Sequence, residues 1–305
     1  MRIFVTGASG FIGSAVVPEL LGAGHEVVGL ARSDASADKL RFAGAGVLRG
    51  TLDDLDVLAQ GARQADGVIH LAFKHDFAAF AAAAETDLRA IEAIGGALAG
   101  TDKPFTIASG VAGLAPGHVV TEEQPFPSGA GSTLIPRHLG ALAALGFAER
   151  GVRSSVVRLA ISVHEEVKRG FVGALVDIAR EKGVSGYLGD GSNRWPAVHR
   201  LDAAVLFRLA LENAAAGSIW HGVADEGVPL KEIAAVIGRH LNVPIASIPA
   251  ENVAAHFGWL QPFVGIDGPA SSARTRELLR WSPTHPGLVE DLDQGHFFDV
   301  LVGTN

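Results

Sequence analysis

The chain has 305 residues, 48% of them hydrophobic and 19% charged, which supplies ample apolar material for the core of one large domain with an added lobe. It contains no cysteine, which excludes disulfides, thiolate metal sites and cysteine nucleophiles and fits a cytoplasmic protein. A net charge of −8 without a basic cluster argues against nucleic acid or an anionic membrane as partner, and no apolar run is long enough to span a bilayer.

Arg2 to Thr6 is a short β-rich run that leads straight into glycines. FIGSAVVPELLGAG then shows helical periodicity and HEVVGLAR a second strand, so the first thirty or so residues form a βαβ unit. Pro18 falls inside the helix, where it costs about 3 kcal/mol or forces a kink. The loop VTGASGFIG places Gly7, Gly10 and Gly13 where a tight turn, a close backbone approach and helix-on-sheet packing are each needed. Such a loop, opening a helix whose free N–H groups attract phosphate, predicts dinucleotide binding, with Ser9, Phe11 and Ile12 as further contacts.

The end of the second strand selects the dinucleotide. An acidic residue there accepts from an adenosine ribose hydroxyl and favours NAD. GLARSD instead offers Arg32 and Ser33, and a guanidinium bonds a 2′-phosphate that a carboxylate would repel, so NADP is favoured, with Asp34 counting against it.

Alternation continues through VLRG, the helical DDLDVLAQGAR, the strand GVIHLAF, a long Ala-rich helix, PFTIASG, a helix over 136–150 and SSVVRLAIS. This pattern predicts an α/β fold, a Rossmann doubly wound parallel sheet over residues 1–165. Residues 166–305 read as a smaller α/β substrate lobe, partly interleaved with that sheet, in which YLGDGSNRWPAVH is turn-rich.

These segments together resemble the extended, atypical short-chain dehydrogenase/reductases near the NAD-dependent epimerase/dehydratases. TGASGFIG is similar to the family's TGxxGxxG loop, and GTLDD to its segment beside the adenine, with Thr51 in the usual acidic place and Leu52 next to it. VIHLA resembles the strand whose Leu71 and Ala72 would line the cofactor. RLAIS followed by VH, then AVHRLDAA and LRWSPTHPGL, extend the likeness to the tail. The resemblance implies a catalytic serine after the fifth strand, at Ser109, and a Tyr-x-x-x-Lys motif.

That motif is missing. Counting back from ERGVRSSVVRL places Thr133 at the tyrosine position and Arg137 at the lysine position, and the single tyrosine, Tyr187, lies in the lobe. An aliphatic hydroxyl is a much weaker acid than a phenol, whereas Arg137 can still donate to ribose hydroxyls without relaying a proton. Other proton sources to weigh are His138, expected at the surface, His164 after the sixth strand, Tyr187 and His199. Asn193, Arg194, Trp195 and His199 are candidate substrate contacts.

The expected function is therefore an NADP-dependent reductase acting on a small-molecule imine, iminium or ketone without the usual tyrosine acid. A redox-inactive NADP-binding regulator or scaffold is the alternative, and a sugar-nucleotide epimerase or dehydratase a weaker one. The twelve histidines are dispersed without ligand spacing, so no metal is expected. Family relatives often dimerise through flanking helices, which implies a homodimer.

Overall fold

The computed structural model describes residues 1–75, 79–127, 135–166 and 168–298. β1 (Arg2–Thr6) enters the core at once, with Ile3, Phe4 and Val5 buried. Such an unbroken apolar run is what a strand needs when helices cover both faces of its sheet. α1 (Gly13–Gly22), β2 (Glu26–Ala31), α2 (Asp34–Phe42) and β3 (Gly46–Arg49) complete one wing. α3 (Leu55–Gln64), β4 (Gly67–His70), α4 (Phe80–Leu98), β5 (Pro104–Gly110), α5 (Ile135–Gly146) and β6 (Arg153–Leu159) build the other.

The second half of the chain contributes β7 (Ser162–His164), α6 (Gly170–Lys182), β8 (Ser185–Tyr187), β9 (Arg194–His199) and α7 (Arg200–Asn213). β10 (Ser218–Gly222), β11 (Asp225–Pro229), α8 (Leu230–Leu241), β12 (Ile245–Ser247), α9 (Val253–Phe257) and α10 (Gln261–Val264) follow. α11 (Ala273–Leu279) and α12 (Leu288–Asp293) end the described part.

Seven strands form one parallel sheet in the order β10-β6-β5-β4-β1-β2-β3. The order reverses between β1 and β4, so the strand ends diverge there and leave a crevice, the usual ligand position of a doubly wound sheet. α1 packs with α7 and α4 packs with both α3 and α5. The fold is thus the expected Rossmann α/β architecture, and β10, from far along the chain, extends the sheet beside β6. Among the described residues no helix is long and apolar enough to cross a membrane.

Local departures have local reasons. α1 passes through Pro18 unbroken, because Ser14 and Pro18 face solvent, where water can satisfy the carbonyl that the proline cannot. The predicted helix over 136–150 tightens into a 3-10 turn at Phe147–Arg150 and stops at Gly151, whose φ is 70°. The stretch read as turns contains β9, which pairs parallel with β7 and antiparallel with β11. Its partners lie tens of residues away, so nothing local announced it. Around these strands a second core forms from Trp195, Phe257, Leu260 and Phe297.

Asp202 ties the lobe's tail to α7. Its buried carboxylate accepts from the backbone N–H of Thr284 (3.0 Å) and of His285 (3.1 Å) and pairs with the His285 ring (2.8 Å). The Trp281 indole N–H donates to the Asp202 carbonyl at 2.9 Å. Asp202→Ala removes the acceptor of the Thr284 and His285 N–H groups and of the His285 ring and should destabilise the protein by about 2–3 kcal/mol, read as a lower urea midpoint with an unchanged slope.

Candidate active site

The loop between β1 and α1 lies against the end of β4 so closely that two of its positions accept only glycine. Gly7 has φ +67°, and a Cβ there would sit 2.7 Å from the Ala72 nitrogen. A Cβ on Gly13 would meet the Gly7 carbonyl oxygen at 2.1 Å. The loop therefore stays thin, and a cleft of about 740 Å³ opens over it. Gly7, Ser9, Gly10, Phe11, Ile12 and Gly13 form its floor, as the sequence predicts of a phosphate cradle. Arg32, Thr51 and Leu52 line one end, and Leu71 and Ala72 the opposite wall.

Ser33 is occupied otherwise: it caps α2, accepting from the Ser36 N–H at 3.2 Å while the Ser36 hydroxyl bonds back. Ser36 takes its place in the cleft lining. The Arg49 guanidinium pairs with Asp34 at 2.8 Å and donates to the Ser33 carbonyl at 2.6 Å. Asp34 is paired with Arg49 at the surface, and Arg32 lines the cleft with no ion pair among the described residues.

Behind the other wall runs a buried chain of polar groups. The Ala72 N–H donates to the Thr6 hydroxyl (3.3 Å), which meets His70 Nδ1 (2.9 Å), and His70 Nε2 meets Asp87 Oδ1 (3.0 Å). Asp87 Oδ2 pairs with Arg137, whose other nitrogen donates to the Ala108 carbonyl at 2.9 Å. Burial is the largest influence on the Asp87 carboxyl and pushes it up, but Arg137 and His70 together hold it below its ordinary 3.8.

Arg137 also lies over the Phe73 ring, 4.2 Å from its centre, and the His75 ring meets the same Phe73 edge-on at 5.3 Å. Phe73, Lys74 and His75 all line the cleft, and Lys74 pairs with Asp53 (2.8 Å) from the adenine end. Burial, reinforced by Arg137, pushes the His75 imidazolium below its ordinary 6.5.

The remaining expected residues are dispersed. Thr133 lies outside the described residues. Ser109 is buried at the end of β5, its hydroxyl unpartnered, in register with Arg158 on β6 and, beyond it, His221 on β10. Arg158 is fully buried, stacks over Phe126 at 4.0 Å and donates to the Gln124 carbonyl; burial pulls it down to about 10, so it stays charged. His138 is not at the surface: it packs on Phe126 at 5.1 Å, and burial with Arg158 pushes it down to about 4. His164 is buried against α12, its Nδ1 2.5 Å from Asp291.

In the lobe, Tyr187 sits on β8 with Lys231 over its ring, apart from the cleft lining. The Asn193 amide donates to the carbonyls of Val264 and Ile266, Arg194 pairs with Asp267, and Trp195 is wholly buried. His199 caps α7 and stacks flat on His285 at 4.5 Å; burial, with His164, pushes it down to about 4. His199, Asp202 and His285 place ligand atoms within 4.8 Å of one another. In this structure Asp202 accepts from the Thr284 and His285 backbone N–H groups and pairs with the His285 ring, which stacks on His199.

Sequence reading missed His70, Asp87, Phe73, Lys74 and His75. One signal was present: Asp87 falls on the apolar stripe of α4 with Ala83, Ala84, Ala90, Ile91 and Ile94, where a carboxylate requires a buried partner.

Residues 3–95 match the family model described as NAD dependent epimerase/dehydratase family. An uncharacterized protein of Schizosaccharomyces pombe is 51% identical over 98% of this chain and 100% of its own. Two solved structures share the fold over nearly the whole length. One is a UDP-glucose 4-epimerase of Thermotoga maritima (20% identical, 97% of each chain, TM-score 0.76). The other is a dTDP-glucose 4,6-dehydratase of Streptomyces venezuelae with NAD bound (19% identical, 97% and 96%, TM-score 0.77).

Because the Asp87 carboxyl is held down in the folded state, its contribution to stability is present above its unfolded value and is lost as pH falls through the folded one. Asp87→Asn should cost about 3 kcal/mol at pH 7. The gap from the wild type should close below about pH 4, checked by urea denaturation across pH.

Proposed function

We propose, from the premise that this chain belongs to the NAD-dependent epimerase/dehydratase family, that it is an NADP-dependent reductase of a small-molecule C=N or C=O group. The observation that carries the cofactor preference is Arg32, unpaired at the end of β2 while Asp34 is paired with Arg49. A 2′-phosphate beside Arg32 gains charge-assisted hydrogen bonds, and no free carboxylate repels it.

The cleft fits a dinucleotide on its own terms. Gly7 and Gly13 leave the loop without the Cβ atoms that would fill it, and the first N–H groups of α1 lie at its floor. Bound there, the reduced dinucleotide supplies a hydride. Gly7, Gly10 and Gly13 bring the backbone close to the pyrophosphate, and Arg32 with Ser36 holds the adenosine end. Ala72 and Phe73 wall the opposite end, where they would exclude water and fix orientation, with Arg137 stacked on Phe73.

Charge at that end supports an electrophile that brings its own activation. Asp87 pairs with Arg137 and offsets part of its charge, which reduces the repulsion that a cationic iminium would meet at that wall. A ketone requires in addition a proton from the protein.

Turnover is tested by following NADPH oxidation against a panel of ketones and cyclic imines; a protein that binds NADPH yet reduces none of them would sink this reading. Arg32→Ala should weaken NADP binding roughly 10- to 100-fold and leave NAD binding almost unchanged, measured by calorimetric titration.

A further inference from the structure

The sheet order fixes which end of the cleft does chemistry. β2 and β4 flank β1 on opposite sides, with Arg32 at the end of β2 and Phe73 to His75 just past β4. With Arg32 and the glycine loop holding the adenosine and pyrophosphate, Phe73 and His75, with Arg137 behind them, would be the residues beside the nicotinamide. No tyrosine stands there among the described residues, since Tyr187 is on β8 in the lobe.

Of the titratable side chains that line the cleft, Arg32 keeps its proton, and Lys74 and Asp53 are held by each other. Among the described residues that line the cleft, His75 is the titratable side chain whose ordinary range lies near neutrality. It lines the cleft and packs on the same Phe73 ring that carries Arg137. Resting on the reductase reading, we propose that His75, as an imidazolium, is the proton donor for carbonyl substrates, in the role that the absent phenol leaves open.

The step balances. The carbonyl carbon receives a hydride with its two electrons from the reduced nicotinamide, and the carbonyl is reduced as the nicotinamide is oxidised. The His75 N–H bond breaks as an O–H bond forms on the substrate; neutral His75 then takes a proton from water. The charged groups facing it are Arg137 from α5 and Asp87 from α4, with the Lys74–Asp53 pair beside it. Burial and Arg137 together outweigh Asp87 and make the imidazolium a stronger acid than free histidine.

The test compares full-length wild type with His75→Gln and His75→Ala, each first shown by fluorescence titration to bind NADPH within about twofold of wild type. For a ketone, wild-type kcat/KM should fall about tenfold per pH unit above the imidazolium pKa. Both variants should lose roughly 100- to 10,000-fold in kcat and that slope, while reduction of a preformed iminium changes little. Independently of turnover, the NMR resonance that disappears in His75→Gln should titrate below 6.5 and move when NADP is added. A wild type that reduces ketones while both variants match it overturns this assignment alone, as does a resonance indifferent to NADP. A wild type that binds NADPH and reduces nothing overturns the reductase reading and this one with it.

Discussion

A buried line of hydrogen bonds from Thr6 through His70 and Asp87 to Arg137 fixes the relation between the glycine loop and α5, and the rest of the cleft depends on it. Each member sits where its strand or helix puts it: Thr6 and His70 are opposite one another in the β1–β4 register, and Asp87 lies on the inward stripe of α4. The line also reaches the Ala72 N–H, whose backbone is what Gly7 must approach without a side chain. One set of bonds thus holds the loop thin, the opposite wall in place and a guanidinium at the wall's far end. Breaking it in the middle would leave a buried carboxylate or imidazole without a partner, a costlier defect than losing any one hydrogen bond.

Electrostatics then divides the cleft. At the adenine end a neighbouring acid is paired and a cation left unpaired; at the other end a cation is paired with a buried acid. The same pairing therefore has opposite consequences at the two ends. The first leaves a positive charge at the Arg32 end of the cleft, and the second offsets one behind the Phe73 end. His75 sits at that second end, where Arg137 is close enough to strengthen it as an acid and Asp87 keeps the local charge from building up.

The lobe is held on by clasps rather than by chemistry. Asp202 gathers the tail, Asp291 holds His164, and Arg194 and Asn193 secure the segment around 264–267. Residues that looked like substrate contacts from their polarity and aromatic content are spent on these contacts, because an irregular, turn-rich segment has backbone and side-chain donors that must be satisfied somewhere.

The amino-acid sequence by itself determined the doubly wound sheet, the glycine loop and the presence of Arg32 at the end of β2. These follow from short-range periodicity and from steric demands that only glycine meets, and both are written within a few residues of where they act. Asp87 was legible in part, as a carboxylate on an apolar stripe, but its partners were not. Tertiary structure alone decided that Asp34 is paired and Arg32 free, that His138 is buried, that Tyr187, Trp195 and Asn193 stay out of the cleft, and that Phe73 and His75 line it beside Arg137. Each of these depends on which side chains from distant strands and helices converge, and on the charge and burial created by that convergence, which no local pattern encodes.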